Sequence, residues 1–380
     1  MTLNNRQSSR PTHSWDAHFS PSAPLFEALE PRVLFTAAPN IPLDQTFLLH
    51  SNPDATKVIY LDFDGHTTSN TQWNTTYNGG NDFTTPAYSF EGDSSFSDAE
   101  KGRIQAIWER VTEDYLPFDV DVTTEDPGNE ALAQGWDIDE EWGIRMVIGG
   151  NSNAWCVGGL GGIAYNGSFD WYSNTPAYVF SENLSNNEKS VAEVISHEAG
   201  HTLGLGHDGT SAVDYYAGHG SGSTGWAPIM GSGQSKELVQ WSKGEYPDAN
   251  RTQDDLSIIT SVNGFGYRDD DHGNTSITAS SLGITGGSVV FDEGIIEQNT
   301  DLDFFSFTTT GGTLDLDIDP FYRSPNLDIL ATLYDSTSTL IATSNPLTEL
   351  DANFSLSLAA GTYYLSIDGT GNLPLNTGYS

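Results

Sequence analysis

The stretch from His197 to His207, His-Glu-Ala-Gly-His-Thr-Leu-Gly-Leu-Gly-His, constrains this chain more than any other. On an α-helix His197 and His201 stand one turn apart, so both imidazoles leave the same face. Gly204 permits the backbone conformation that ends a helix and turns it sharply. His207 can then come back as a third imidazole. The chain must therefore hold a helix followed at once by a tight reversal. Three converging imidazoles suit one small cation at zinc-ligand distance, and three protein ligands leave a fourth position open. Glu198, next to the first imidazole, can reach a water there without displacing a ligand. One catalytic Zn2+ is expected.

Composition bounds the setting. The chain has 380 residues, with 14 Lys and Arg against 52 Asp and Glu and a formal charge of −38. That length allows two domains and a tail. That field repels phosphate backbones, so nucleic acid is not an expected partner. It suits a soluble secreted protein and offers carboxylates to Ca2+. Cys156 is the one cysteine, which excludes an intramolecular disulfide framework; it reads as a small buried side chain. No apolar run is long enough for a membrane span.

The pattern along the chain sets three segments. Residues 1–45 are proline-punctuated and read as a disordered leader. In residues 46–267, Lys57 to Phe63 reads as a strand ended by Asp64-Gly65. A capping box at Ser97 and Glu100 opens a helix with Ile104, Ile107, Trp108, Val111 and Tyr115 on one face, and Pro117 ends it. Strands follow around Phe118–Val122, Ile144–Ile148 and Ala177–Phe180. Between the last two, Gly158 to Tyr165 is either a flexible loop or an unpaired glycine-rich edge that another extended chain can approach. Ser185 and Glu188 read as a second capping box, opening the helix that carries His197 and His201. A helix over Asp254–Val262, with Leu256, Ile259 and Val262 inward, closes the domain. In residues 268–380 the helical pattern vanishes. Leu314, Leu316 and Ile318, then Phe354, Leu356 and Leu358, alternate with polar residues, the signature of an antiparallel β-sandwich.

With Gly204, His207 and a tight turn over Gly225–Gly231 containing Met230, the central pattern resembles the metzincin metalloproteases. The resemblance implies an α/β (α+β) catalytic domain with a mixed sheet and two long helices, followed here by the all-β sandwich. It implies His197, His201 and His207 as zinc ligands, Glu198 as general base, and Gly204, Asp208 and Met230 in support, with Met230 an apolar floor beneath the imidazoles. It makes Gly162, Ile163 and Ala164 an antiparallel edge strand for the substrate backbone. Ser232 stands where astacin-like and serralysin-like members carry a tyrosine, which argues against those branches. Asp208 is shared with reprolysin-like members, where an aspartate ties the ligand loop to the Met-turn backbone. Matrixins hold a second, structural zinc on further histidines, and between Gly65 and Val194 this chain has only His66.

Two further resemblances complete the reading. Leu29 to Ala37 is similar to the LEPR-type sorting segment of exported bacterial proteins; the alternative is a leader with no address. Asp301–Phe307, Pro325–Asp328 and Gly361–Tyr364 resemble the bacterial pre-peptidase C-terminal domain, and the sandwich reads as truncated, with an open edge. Calcium is an expectation at Asp301 and Asp303, or at the acidic run Asp137, Asp139, Glu140 and Glu141; the bland alternative for both is a solvated face. His219 either steadies the oxyanion or is a loop histidine. The expected whole is a monomeric, secreted or cell-surface zinc endopeptidase of a bacterium, acting on proteins or peptides. The alternatives are a catalytically silent zinc-holding binding protein and a zinc amidase on wall or lipid amides.

Overall fold

The computed structural model describes residues 41–380 apart from 91–94, 136–139, 283–291 and 371–380. Residues 1–40 of the leader, with the sorting segment, and Asp137 and Asp139 of the acidic run, lie outside the described residues; Leu43–Gln45, expected to be disordered, form a short 3-10 helix.

The chain enters a strand, β1 (Lys57–Asp62), a hairpin of β2 (His66–Thr68) and β3 (Phe83–Thr85) around α1 (Gln72–Tyr77), and then α2 (Asp98–Tyr115). Next come β4 (Asp121–Thr123), β5 (Trp142–Ile148), β6 (Gly162–Ile163), β7 (Ala177–Val179) and α3 (Glu188–Thr202). The sheet order is β4-β1-β5-β7-β6. Its first four strands run parallel, and β6 pairs antiparallel on the edge. Strands this apolar suit a sheet covered on its faces: Ile59, Ile144, Met146, Ile148 and Val179 are all buried in one core with residues of both long helices.

Capping places the helices. Ser97 accepts from the Glu100 amide while the Glu100 carboxylate accepts from Ser97, closing the expected box at α2. Ile104, Ile107, Val111 and Tyr115 are buried on its inner face. At α3 the expectation fails: the N-cap is Asn187, whose side chain accepts from the Ser190 amide at 3.0 Å. Ser185 and Asn186 both have positive φ, in a turn before the helix, so Ser185 cannot cap it. Beyond α3, β8 (Trp226–Pro228) and β9 (Leu238–Gln240) pair in parallel, and α4 (Asp255–Val262) follows. Ile259 is buried and Leu256 packs on the core, but Val262, the last residue of α4, is 62% exposed.

The C-terminal part is β-rich. Strands β10 (Ser280–Ser281), β11 (Asp303–Thr309), β12 (Gly312–Ile318), β13 (Ile329–Asp335), β14 (Leu340–Ser344), β15 (Ala352–Leu358) and β16 (Gly361–Gly369) make two sheets. Their orders are β10-β11-β16-β13-β14 and β12-β15. Phe305, Phe307, Leu333 and Leu365 of the first sheet share a core with Phe354, Leu314 and Leu316 of the second. This is the sandwich that alternation predicted.

The connection between β12 and β13 reaches onto the catalytic part. Tyr322 Oη and Arg323 Nε each donate to Glu109 Oε2 at 2.6 Å, and Arg323 donates to Glu188 Oε1 at 3.1 Å. Asn326 Nδ2 donates to Asp114 Oδ1 at 3.2 Å, and its carbonyl accepts from Gln240 Nε2 at 2.6 Å. Leu350 is buried with Trp226, Leu238 and Tyr246.

Candidate metal centre

The three imidazoles predicted from spacing do converge. One nitrogen from each of His197, His201 and His207 lies within 4.8 Å of the others. His197 Nδ1 donates to the Ile229 carbonyl and His201 Nδ1 to the Leu205 carbonyl, each at 2.9 Å. Those bonds fix the tautomers and leave Nε2 bare on both rings. Gly204 has φ +99°, the reversal that returns the chain to His207. Nε2 of His201 and of His207 stand 2.9 Å apart. At that separation the two nitrogens either share one N–H, with His207 in its Nε2–H tautomer, or turn their lone pairs to one cation. Burial lowers the pKa of His201, that of His197 to about 3 and that of His207 to about 4, which disfavours the imidazolium form of each ring. Neutral imidazoles around one point are what a zinc ion requires, so these residues fit the metal.

Glu198 follows the first ligand in α3 and is 6% exposed. Burial raises its carboxyl to about 8. Strand β6 runs directly against it, so closely that Gly162 has no room for a side chain. Gly162 pairs with Val179 and Ile163 with Tyr178, so the glycine-rich segment is an edge strand at these two residues and a loop on either side; Ala164, expected in the strand, lies just past its end. Ile163 packs into an aromatic cluster around Trp73 and Tyr178, and Ala164 against the main core.

Met230 is fully buried. A Cβ built on Gly200 would lie 2.6 Å from its sulfur, so the methionine sits under the turn of α3 between the first two ligands. Asp208 ties the ligand loop to this turn, but through its backbone: its N–H donates to the Met230 carbonyl at 2.8 Å. Its carboxylate instead faces the Tyr246 hydroxyl, and burial raises it to about 7.

Of the two readings of His219 the loop histidine holds: it bonds to the Tyr216 hydroxyl at 3.1 Å and its ring lies tilted beside Trp226, with no described contact to the three imidazoles. Two other expectations are corrected. Cys156 is half-buried beside an aromatic cluster, not enclosed. Asp301 and Asp303 are 6% and 2% exposed, so they are not a solvent face.

Sequence reasoning missed two features. The segment after β6 caps α3: the amides of Gly167 and Phe169 donate to the carbonyls of His201 and Thr202 at 2.9 and 3.0 Å. Tyr215 lays its ring beside His207, with centroids 4.3 Å apart. Neither contact has a spacing signature, because both depend on where loops return.

Residues 118–208 match the family model of the reprolysin-like metallo-peptidases of family M12B. The match ends just after the third histidine. No curated protein matches the chain. Among solved structures, the chain is similar to the pre-peptidase C-terminal domain of a collagenase from Bacillus anthracis. Identity is 14%, over 20% of this chain and 70% of that chain, with a TM-score of 0.17. Among the described residues no helix is long and apolar enough to cross a membrane.

Proposed function

We propose, from a reprolysin-like metallopeptidase domain of the metzincin kind at residues 118–208, that this chain is a secreted zinc endopeptidase with Glu198 as its general base. The observation that carries the reading is the meeting of three neutral imidazoles with one buried carboxylate and an open strand edge. His197, His201 and His207 would hold the ion. Zinc in such a site polarises a carbonyl and lowers the pKa of water.

The chain's own residues supply the rest. The backbone of Gly162 and Ile163 presents an edge to which an extended peptide can add as a further strand, lying across Glu198. Glu198 takes the proton of the attacking water as its oxygen bonds to the carbonyl carbon. As the C–N bond breaks, Glu198 passes that proton to the leaving nitrogen. Secretion is supported by the sequence of the leader and by the strongly acidic charge.

The test is Glu198→Gln. It should keep zinc and fold and lose about 10³-fold or more in peptide hydrolysis. Unchanged turnover in that variant would refute the assignment.

A second reading concerns calcium. Carboxylate oxygens of Asp270, Asp301 and Asp303 lie within 4.8 Å of one another. Asp303 Oδ1 and both oxygens of the buried Glu297 have no hydrogen-bond partner. Burial and the nearby Asp271 and Asp301 carboxylates raise Asp303 to about 8. Both nitrogens of His272 are engaged, with Ser280 and the Glu293 carbonyl, so the donor set is all oxygen and suits Ca2+ over Zn2+. Calcium should raise the melting temperature of the wild type and not that of Asp303→Asn; equal responses would remove this site.

A further inference from the structure

The peptidase reading leaves one role unfilled. A carbonyl oxygen gaining negative charge beside the metal needs a second donor, and hydrogen bonds aimed at that charge are often the largest single catalytic contribution. Ser232, in the position where some relatives carry a tyrosine, donates its hydroxyl to Gln234 Oε1 at 2.8 Å. His219 is turned to Tyr216.

Tyr215 meets the requirement. Its ring centroid is 4.3 Å from that of His207 and 5.9 Å from that of His197. The residue is 47% exposed, and its hydroxyl makes no hydrogen bond among the described residues. Its neighbour fixes its place. Tyr216 N–H donates to the Asp208 carbonyl at 2.7 Å, and the Ser232 N–H to the Tyr216 carbonyl at 2.9 Å. The Tyr216 ring stacks on Tyr246 at 4.3 Å and 6°. The loop after His207 is thus pinned on both sides of the turn, and the Tyr215 ring lies tilted beside the imidazoles of His207 and His197. A phenol carries its proton at neutral pH and can donate it in a hydrogen bond.

We infer that Tyr215 is the second oxyanion donor of this site, its O–H donating to the scissile carbonyl oxygen as that oxygen becomes anionic. The inference rests on the peptidase reading above. A residue from the loop between the third histidine and the Met-turn would then do what Ser232 cannot.

The experiment compares wild type with Tyr215→Phe, which keeps the ring and removes the donor. Turnover of a peptide is measured together with two affinities: that of a phosphinic peptide, which mimics the tetrahedral anion, and that of the intact substrate peptide in the Glu198→Gln background. Tyr215→Phe should lower kcat about 10²-fold, weaken the phosphinic peptide by a similar factor, and leave KM, zinc content and intact-peptide affinity within about twofold. Unchanged kcat and unchanged phosphinate affinity would overturn the inference. So would an equal loss for the intact peptide, which would make Tyr215 a wall of the substrate cleft. A wild type that neither cuts peptides nor binds the phosphinate would fail the peptidase reading itself; wild-type turnover with an indifferent Tyr215→Phe fails only the donor.

Discussion

A Cβ on Gly162 would lie 2.5 Å from Cγ and 2.6 Å from Oε1 of Glu198. The strand edge and the Glu198 side chain are thus in van der Waals contact, and a side chain at position 162 would collide with it. Gly162→Ala should displace Glu198 and lower kcat/KM about 10²-fold, with circular dichroism and zinc content unchanged. A wild-type rate in this variant would mean that the edge strand does not position the base.

The histidines should keep their metal in acid better than free imidazoles would. Burial holds His197 near 3 and His207 near 4, against 6.5 for the unperturbed side chain. In the folded chain protons therefore compete for these nitrogens only as pH falls towards about 4. Zinc content after dialysis should stay near about one per chain at pH 5 and drop below about pH 4. Loss with a midpoint near the ordinary histidine value would contradict this. Removal by a strong chelator at neutral pH should lower the melting temperature, because the ion binds only the folded state.

Glu193, on α3, gives a pH dependence of stability with a definite sign. It is buried, and burial and the Asp114 carboxylate raise its pKa above the ordinary 4.5. The native state therefore holds a proton that the unfolded chain has released, at pH values from 4.5 upward. Its contribution is favourable below that window and is lost as pH rises through the folded value. Glu193→Gln, neutral throughout, should be more stable than wild type at pH 8 by about 1–3 kcal/mol and nearly equal at pH 4. Denaturant titrations at the two pH values decide it; a difference that grows towards acid would reverse the assignment.

Asn326 tests the grip between the two parts of the chain. Its amide is bonded to Asp114, and Asp114 in turn accepts from Ser196 at 2.5 Å, next to His197. Asn326→Ala should cost about 1–3 kcal/mol by leaving a buried carboxylate oxygen unpaired, measured by chemical denaturation. A change within about 0.5 kcal/mol, the range of ordinary surface substitutions, would show the contact to be incidental.

The parts of this molecule that were legible in the sequence are those governed by short-range periodicity. The turn between His197 and His201, the positive φ at Gly204 and the capping box of Ser97 and Glu100 each follow from spacing alone. The cap at α3 is not legible in the sequence, because Ser185 and Asn187 are both good N-cap residues, and only the turn through Ser185 and Asn186 decides between them. Periodicity puts Val262 on the inner face of α4, but it does not say where a short helix runs past its partner. Asp301 and Asp303 alternate like solvent-facing residues, yet both are buried. Tyr215 could not be read at all: its place is set by Tyr216 stacking on Tyr246, thirty residues further on.

The grip of Tyr322, Arg323 and Asn326 on α2 and α3 bears on the fate of the C-terminal sandwich. Severing the chain around Asp269–Asp271 would break covalent continuity without freeing either fragment. Two bands in denaturant and a single particle on a sizing column are the expected picture.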